Sequence, residues 1–480
     1  MTLSLHDRPF FLAGRWERSH ERLDVTNPYD GKVIGNTFLA TADQLEEAIR
    51  AAEQAFAITR KLPSYERSKI LHDIAEGLRA RKDDIATTLS LEAGKPIKDS
   101  RSEVDRAVLT FDTAAEEAKR IGGDVLPLDL LPKAERRFGI TRRVPIGPVL
   151  AITPFNFPLN LAAHKIAPAI AAGNTVIVKP ASKTALTWLV AAEILERTTL
   201  PKGALSILPL DPSLHDRLVL DERFKAISFT GSSAVGWALK AKAGKKKVLL
   251  ELGGNAGVIV DRDADLDVAA ARIAYGGFTF AGQSCISVQR CFVHEAVLED
   301  FTRRFLAAIQ QIKLGDPLDP TTDLGPMINP KVVQRTGEWV KQAVADGAKV
   351  LIGGKTQPGN IFEPTVLTNV KPTSPVCSQE VFAPLVMLFP FKDFKDAVAA
   401  VNDSVYGLQA GVFTNALEHA WYAFEELEVG GILLNDIPTW RIDPMPYGGV
   451  KDSGFGREGV RYAIEELTEL RLMVVNRTAS

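Results

Sequence analysis

An α/β protein built from two successive parallel-sheet units is the fold this sequence predicts. Two observations carry the prediction: short runs rich in Val, Ile and Leu alternate with helix-period segments, and the alternation happens twice, on either side of a glycine-bearing seam near residue 252. The length of 480 residues agrees, because a single hydrophobic core stops growing well before that size and longer chains divide into domains.

Taken in order, helix-period segments come first. Ala40 to Phe56, Arg67 to Ser90 and Ser102 to Ile121 each carry charges on one face and Ala, Leu, Ile or Val on the other, which predicts a helical layer. The first strand series follows, with Val149–Ile152, Thr175–Val178, Leu205–Leu208 and Ala226–Phe229 separated by helical stretches. Strands this uniformly apolar, joined by crossover helices, form a parallel sheet covered on both faces. This portion, to about residue 252, reads as a nucleotide-binding domain. The second series runs through Val258–Val260, Val288–His294, Val350–Ile352, Leu385–Phe389, Gly411–Phe413 and Gly431–Leu434. A last β-like run, Leu470–Val475, has no helix after it, so it is expected to pair with another element, in this chain or in a partner subunit.

Composition narrows the function classes. A content of 46% hydrophobic and 24% charged residues is that of an ordinary soluble globular protein, and a net charge of -2 supplies no attraction for nucleic acid or an anionic membrane. No apolar run approaches the roughly 20 residues of a membrane span, and Met1 to Arg8 lacks the basic and apolar regions of a signal peptide. Three cysteines without paired spacing argue against a disulfide framework or a metal cluster and point to a reducing compartment, the cytoplasm.

The chemistry is concentrated in a few segments. Cys285 lies in Phe280-Ala281-Gly282-Gln283-Ser284-Cys285-Ile286-Ser287, where small neighbours leave room for a substrate beside the sulfur, whereas Cys291 and Cys377 sit in apolar contexts and read as packing residues. Glu251 ends the apolar run Val248-Leu249-Leu250 and precedes Gly253-Gly254, as a strand delivering a carboxylate to a turn. A thiol that attacks an electrophile and a carboxylate that activates water together suffice for covalent catalysis. Lys179 closes the strand Thr175–Val178, at the strand end where open α/β sheets bind ligands. Phe229-Thr230-Gly231-Ser232-Ser233 opens a helix and offers free amides to an anion, although the G-x-G-x-x-G fingerprint is absent. Asn156, in Pro154-Phe155-Asn156-Phe157-Pro158, is either a turn residue or a donor to an oxyanion formed when Cys285 attacks a carbonyl. Pro446 to Glu458 is a glycine-rich loop able to cover a pocket.

Taken together, Thr153-Pro154-Phe155-Asn156-Phe157-Pro158, the Lys179 turn, Phe229-Thr230-Gly231-Ser232, Glu251-Leu252-Gly253-Gly254, Gly282-Gln283-Ser284-Cys285, Glu380-Val381-Phe382-Ala383-Pro384 and Ser453-Gly454-Phe455-Gly456-Arg457-Glu458 resemble the aldehyde dehydrogenase superfamily, in its order and over nearly the whole chain. The resemblance implies that family's fold: two Rossmann-like domains and a small β bridging element used for oligomerisation. Residues 1–121 and 147–252 then form the coenzyme domain, 253–465 the catalytic domain, and 122–146 with 466–480 the bridge, in a homodimer or homotetramer. It further implies Cys285 as nucleophile, Asn156 and the Cys285 N–H as oxyanion site, hydride transfer to nicotinamide to leave a thioester, and Glu251 activating the water that releases a carboxylic acid. Lys165 and Glu458 match positions of proton relay. Lys179 and Ser182 would face the adenosine ribose, Ser232 the pyrophosphate, and Glu380 and Phe382 the nicotinamide end, with Ile152, Thr153, Pro154, Phe155, Phe229, Gly231, Val235, Leu252 and Gly253 completing the cofactor wall.

Departures from the family pattern refine the expectation. Ser182 stands where NAD-preferring members commonly carry Glu, whose charge would repel a 2′-phosphate, so NADP is expected to be accepted alongside or ahead of NAD, with no metal required. Leu208-Pro209-Leu210-Asp211 replaces the glycine-bearing turn usual beside the adenine. Arg441 and Arg106 match anion-binding positions of nonphosphorylating glyceraldehyde-3-phosphate dehydrogenases, although Ser284 replaces a third arginine of that pattern. Phe157, His164 and Tyr447 complete the expected substrate wall, His164 being equally readable as a packed histidine. The segments also resemble the lactaldehyde-dehydrogenase-like branch. A small anionic or hydroxylated aldehyde is therefore the expected substrate, unless the arginines only pair with local acids such as Asp443 and Glu103. Two alternatives stand beside this reading: a coenzyme A-acylating enzyme of the same fold, against which Glu251 counts, and a noncatalytic binding protein that keeps the fold.

Overall fold

A computed structural model of the chain describes residues 4–477; residues 1–3 and 478–480, which close the first and last of the expected domain ranges, lie outside the described residues. The helical layer forms, with boundaries set by proline and glycine. Thr41 starts Ala42–Thr59 through a reciprocal capping box with Gln44. Pro63 precedes Ser64–Ala80 and Pro96 precedes Ile97–Ala118, while Gly94, at φ 71°, ends Lys82–Ala93. The expected Arg67–Ser90 segment is thus two helices joined at Arg81.

The first sheet has eight strands. Leu205–Ile207, Thr175–Lys179, Pro148–Ile152, Ala226–Thr230 and Lys247–Glu251 lie side by side in that spatial order, each parallel to the next. They are buried almost throughout, and the wholly buried helix Pro158–Ala172 packs on them in one hydrophobic core. A hairpin of Phe10–Leu12 and Arg15–Glu17, too short to show a period in the sequence, covers one edge, and Gly454–Phe455 closes the other against Lys247–Glu251.

The second sheet runs Lys349–Ile352, Thr365–Thr368, Leu385–Phe391, Val288–His294, Ala256–Val260, Gln409–Phe413 and Gly431–Leu434. All pairs are parallel except the edge pair of Lys349–Ile352 with Thr365–Thr368, a strand the sequence reading did not anticipate. Part of the 253–465 segment returns to the first unit: Val460, Ile464 and Leu467 join its core through the helix Val460–Glu466. That return brings Glu458 against Lys165.

The tail strand Thr468–Asn476 pairs antiparallel along its full length with Arg137–Pro145, which in turn pairs with Val125–Pro127. The expected partner is therefore found within the chain, while Leu470, Leu472, Met473 and Val474 stay about half exposed. Among the described residues no helix is long and apolar enough to cross a membrane.

Candidate active site

One strand end and one left-handed turn build the centre. Glu251 is the last residue of Lys247–Glu251, and the glycine pair after it lets the chain pass close to the Cys285 loop. A Cβ on Gly254 would lie 2.1 Å from the Cys285 carbonyl oxygen, so no larger residue fits. Ahead of the cysteine, Phe280, Ala281 and Gly282 are all left-handed, at φ 47°, 53° and 67°. This rare conformation ends the helix Leu266–Phe278 sharply and turns the sulfur toward the cleft before the strand Val288–His294 begins. A Cβ on Gly282 would sit 2.2 Å from the Ala383 oxygen, which makes glycine obligatory there too.

Cys285 lies on the shared wall of two cavities. Its sulfur is 3.1 Å from the Tyr447 hydroxyl. Burial pushes the thiol up to about 12, the Tyr447 hydrogen bond pulls the other way, and the Glu380 and Glu251 carboxylates add to the rise. The resting group is therefore a thiol. Asn156 is buried on the wall of the larger cavity, where its amide donates to the Gln283 carbonyl at 3.0 Å and its oxygen accepts from the Phe157 N–H at 3.1 Å. One amide hydrogen is thus committed two residues before Cys285, and a side-chain amide carries two.

Glu251 lines the same cavity, and its Oε2 has no hydrogen-bond partner. Burial raises its pKa well above the usual carboxyl range, and the neighbouring Glu458 raises it further, against the pull of Arg441 and Lys165. Lys165 and Glu458 line neither cavity. Lys165 donates to Glu458 at 2.9 Å, to Thr230 at 2.7 Å and to Ser228 at 3.2 Å. Burial works against ionisation of Glu458, but Lys165 and Arg441 hold its carboxyl below the ordinary range.

The smaller cavity, about 280 Å³, is lined by Arg106, Phe157, Ser284, Arg441 and Tyr447, as expected for the substrate wall. His164 is the correction. Its side chain is fully buried and off the cavity, with the ring 2.8 Å from Asp443 and 3.2 Å from Arg441. Burial and the Arg441 charge lower its pKa against the pull of Asp443 and Glu458. Asp443 also takes both Arg106 contacts, at 2.9 and 3.2 Å, so Arg106 does pair with a local acid. Arg441 meets Glu458 at 3.3 Å and lies 3.7 Å above the Tyr447 ring, yet its buried Nε has no partner.

Two cations on this wall escaped the sequence reading, Lys95 and Arg272. Lys95 is fully buried, ion-paired with Glu103 and 3.7 Å from the Phe157 ring centre. Its one signal is position: a lysine held between the helix-ending Gly94 and the helix-starting Pro96 has little freedom to reach water.

The larger cavity, about 550 Å³, is lined by every residue carried over for the cofactor, from Ile152 and Lys179 to Glu380 and Phe382, together with Lys183, His215 and Arg335. The donor set fits a phosphorylated dinucleotide. Lys179 is 8% exposed, and burial alone lowers its pKa, with no acid offsetting it. Ser232 precedes the helix Ser233–Lys242 without capping it, leaving that helix's first amides to a ligand. Thr153 Oγ1 and Arg335 Nε are buried and unpartnered on the same wall. At the far end Glu380 accepts from the Gly254 N–H at 2.9 Å, and burial raises its carboxyl to about 7.

A thiol stands between a small cationic pocket and a dinucleotide-sized cleft, the arrangement of an oxidoreductase site. The chain belongs to the aldehyde dehydrogenase family, whose model matches residues 16–473, and it is an NAD(P)-dependent enzyme that oxidises an aldehyde to a carboxylic acid. It is 44% identical over 467 residues to 3-sulfolactaldehyde dehydrogenase of Priestia megaterium, covering 97% of each chain. It superposes with a TM-score of 0.97 on aldehyde dehydrogenase 21 of Physcomitrella patens in complex with the reaction product succinate, at 45% identity over 99% of each chain. It also matches glyceraldehyde-3-phosphate dehydrogenase GapN of Methanocaldococcus jannaschii complexed with NADP, at TM-score 0.91 and 39% identity, covering 96% of this chain and 100% of that one. The sulfolactaldehyde dehydrogenase and GapN matches agree with the lactaldehyde and nonphosphorylating glyceraldehyde-3-phosphate dehydrogenase-like branch expected from the motifs.

Proposed function

We propose that the protein oxidises a small aldehyde carrying an anionic or hydroxylated tail, and that it accepts NADP at least as readily as NAD. The observation that carries the substrate reading is Arg441, a largely buried guanidinium on the cavity wall that also holds Cys285. Arg106, partly exposed on the same wall, supplies a second guanidinium with one edge held by Asp443, and guanidiniums grip carboxylate, sulfonate or phosphate groups through several hydrogen bonds. The relatives named for sulfolactaldehyde and found with succinate are consistent with such a tail.

In this reading Cys285 attacks the aldehyde carbon and Asn156, with the Cys285 N–H, donates to the oxygen that becomes charged. When bound, the nicotinamide supplies a hydride acceptor for the thiohemiacetal carbon. Glu251 then takes a proton from water, which attacks the thioester and releases the acid and the free thiol. A carboxyl with a raised pKa is the stronger base once ionised, which suits Glu251 to that step. Lys165 and Glu458 would carry the proton onward. Glu251 in the same cavity as Cys285 favours water over coenzyme A as acyl acceptor. Ser182, beside Lys179 and Lys183, adds no negative charge where a 2′-phosphate would lie, which supports NADP.

The exposed apolar tail strand supports a homodimer or homotetramer, and unpaired cysteines support a cytoplasmic location. The test is a substrate panel of succinate semialdehyde, lactaldehyde, glyceraldehyde-3-phosphate and benzaldehyde with both cofactors. The anionic or hydroxylated aldehydes should give the highest kcat/KM, with NADP active; preference for benzaldehyde, or strong discrimination against NADP, would refute the reading.

A further inference from the structure

We propose that the Tyr447 hydroxyl is the hydrogen-bond donor that stabilises the Cys285 sulfur as a thiolate, an inference that rests on Cys285 being the nucleophile proposed above. Among the described residues the sulfur has one polar side-chain partner, the Tyr447 hydroxyl at 3.1 Å. Of the charged groups around it, Glu380 and Glu251 would repel a thiolate, and Arg441 favours it through charge alone, without a hydrogen bond to the sulfur. A sulfur anion in this position needs a donor, and Tyr447 is the side chain placed to provide it.

Tyr447 is held in one orientation. It is 3% exposed and packs with Ile286 and Leu408. Its backbone forms an isolated bridge with Glu458, giving a bond at 3.0 Å and accepting one at 2.6 Å. The Arg441 guanidinium caps the ring face at 3.7 Å, where its charge draws density from the π system and makes the O–H a better donor. Burial and the neighbouring sulfur push the phenol pKa up, so the proton stays on oxygen.

The step balances without a further reactant. The Cys285 S–H proton passes to an ionised Glu251 carboxylate, the sulfur lone pair forms the bond to the aldehyde carbon, and the carbonyl π pair moves onto oxygen. Tyr447 keeps its own proton throughout and loses its acceptor as the S–C bond forms. Cys291, buried among apolar groups in the second core, has no hydroxyl partner.

The experiment is alkylation of the full-length protein by iodoacetamide, a neutral reagent, with Cys285 and Cys291 followed separately by peptide mass. Tyr447→Phe keeps the ring under Arg441 and removes only the donor, and unchanged NADP binding checks the fold. Loss of a hydrogen bond to a charged group lowers the thiolate fraction roughly 10- to 150-fold, and the higher nucleophilicity of the remaining thiolate offsets about half of this on a logarithmic scale. Cys285 should therefore react about 3- to 10-fold more slowly in Tyr447→Phe across the neutral range, with the pH profile displaced upward. Superimposed profiles for the two proteins would overturn the role of Tyr447 alone. Wild-type Cys285 reacting no faster than Cys291 would overturn the nucleophile reading as well.

Discussion

Replacing Arg441 by Leu separates anion recognition from the rest of the site. The arginine side chain is 4% exposed, so its charge acts in a poorly screened environment. Its loss removes a guanidinium from the cavity wall, but Glu458 keeps its 2.9 Å contact with Lys165 and the proton path stays connected. Damage to Glu458 or Tyr447 falls on every substrate alike. The specific loss falls on the anionic tail, for which a hydrogen bond to a charged group is worth about 1.5–3 kcal/mol, or roughly 10- to 150-fold in kcat/KM. The assay is the ratio of kcat/KM for succinate semialdehyde to that for butanal, in wild type and variant, because the ratio cancels the common damage. It should fall by that factor, and Arg441→Lys should fall between the two, keeping charge but losing the planar fork. An unchanged ratio would refute anion binding by Arg441 and leave it as a partner of Glu458.

Other parts of the site make separate predictions. Ser182→Glu should weaken NADP binding by about tenfold or more while changing NAD binding much less, measured by titration of protein fluorescence, since a carboxylate here meets the 2′-phosphate. Lys95→Met leaves Glu103 buried with only the Leu159 and Asn160 N–H groups as donors, at 2.9 and 3.1 Å, and should cost about 3–5 kcal/mol in denaturant unfolding. Adding Glu103→Gln should recover part of that loss. For Glu251 the sign follows from its raised pKa: below that pKa hydrolysis of the acyl-enzyme should quicken with rising pH by about tenfold per unit, levelling once Glu251 is ionised. Rapid-mixing measurement of that step should show the limb in wild type and its absence in Glu251→Gln.

The fold was readable where burial imposes a pattern. The strands Thr175–Lys179, Ala226–Thr230 and Val288–His294 stand within a residue of their expected limits, because strands covered on both faces must be continuously apolar. The short strands Phe10–Leu12 and Thr365–Thr368, each second from a sheet edge, lack the length to show a period. The residues expected at the cofactor wall line one cavity together because they sit at strand ends and turns, in contiguous motifs. Substrate-wall charges were harder, since pairing across distant segments decides their state. Asp443 collects Arg106, Asn160 and His164 from two helices, a convergence that turns His164 inward and that no local spacing reveals. Lys95 escaped for the same reason, as its partner Glu103 and its aromatic neighbours Phe157 and Phe280 come from separate elements.

The central claim is that Cys285 carries the substrate as a thioester that Glu251 helps water to cleave. Glu251→Gln, mixed with aldehyde and NADP and quenched in acid, tests it by mass spectrometry of the intact chain and its peptides. The acyl group should be found on the Cys285 peptide, in an amount matching a single burst of NADPH, with Cys285→Ser showing neither. A burst without an acylated Cys285, or steady turnover at the wild-type rate in Glu251→Gln, would contradict the account.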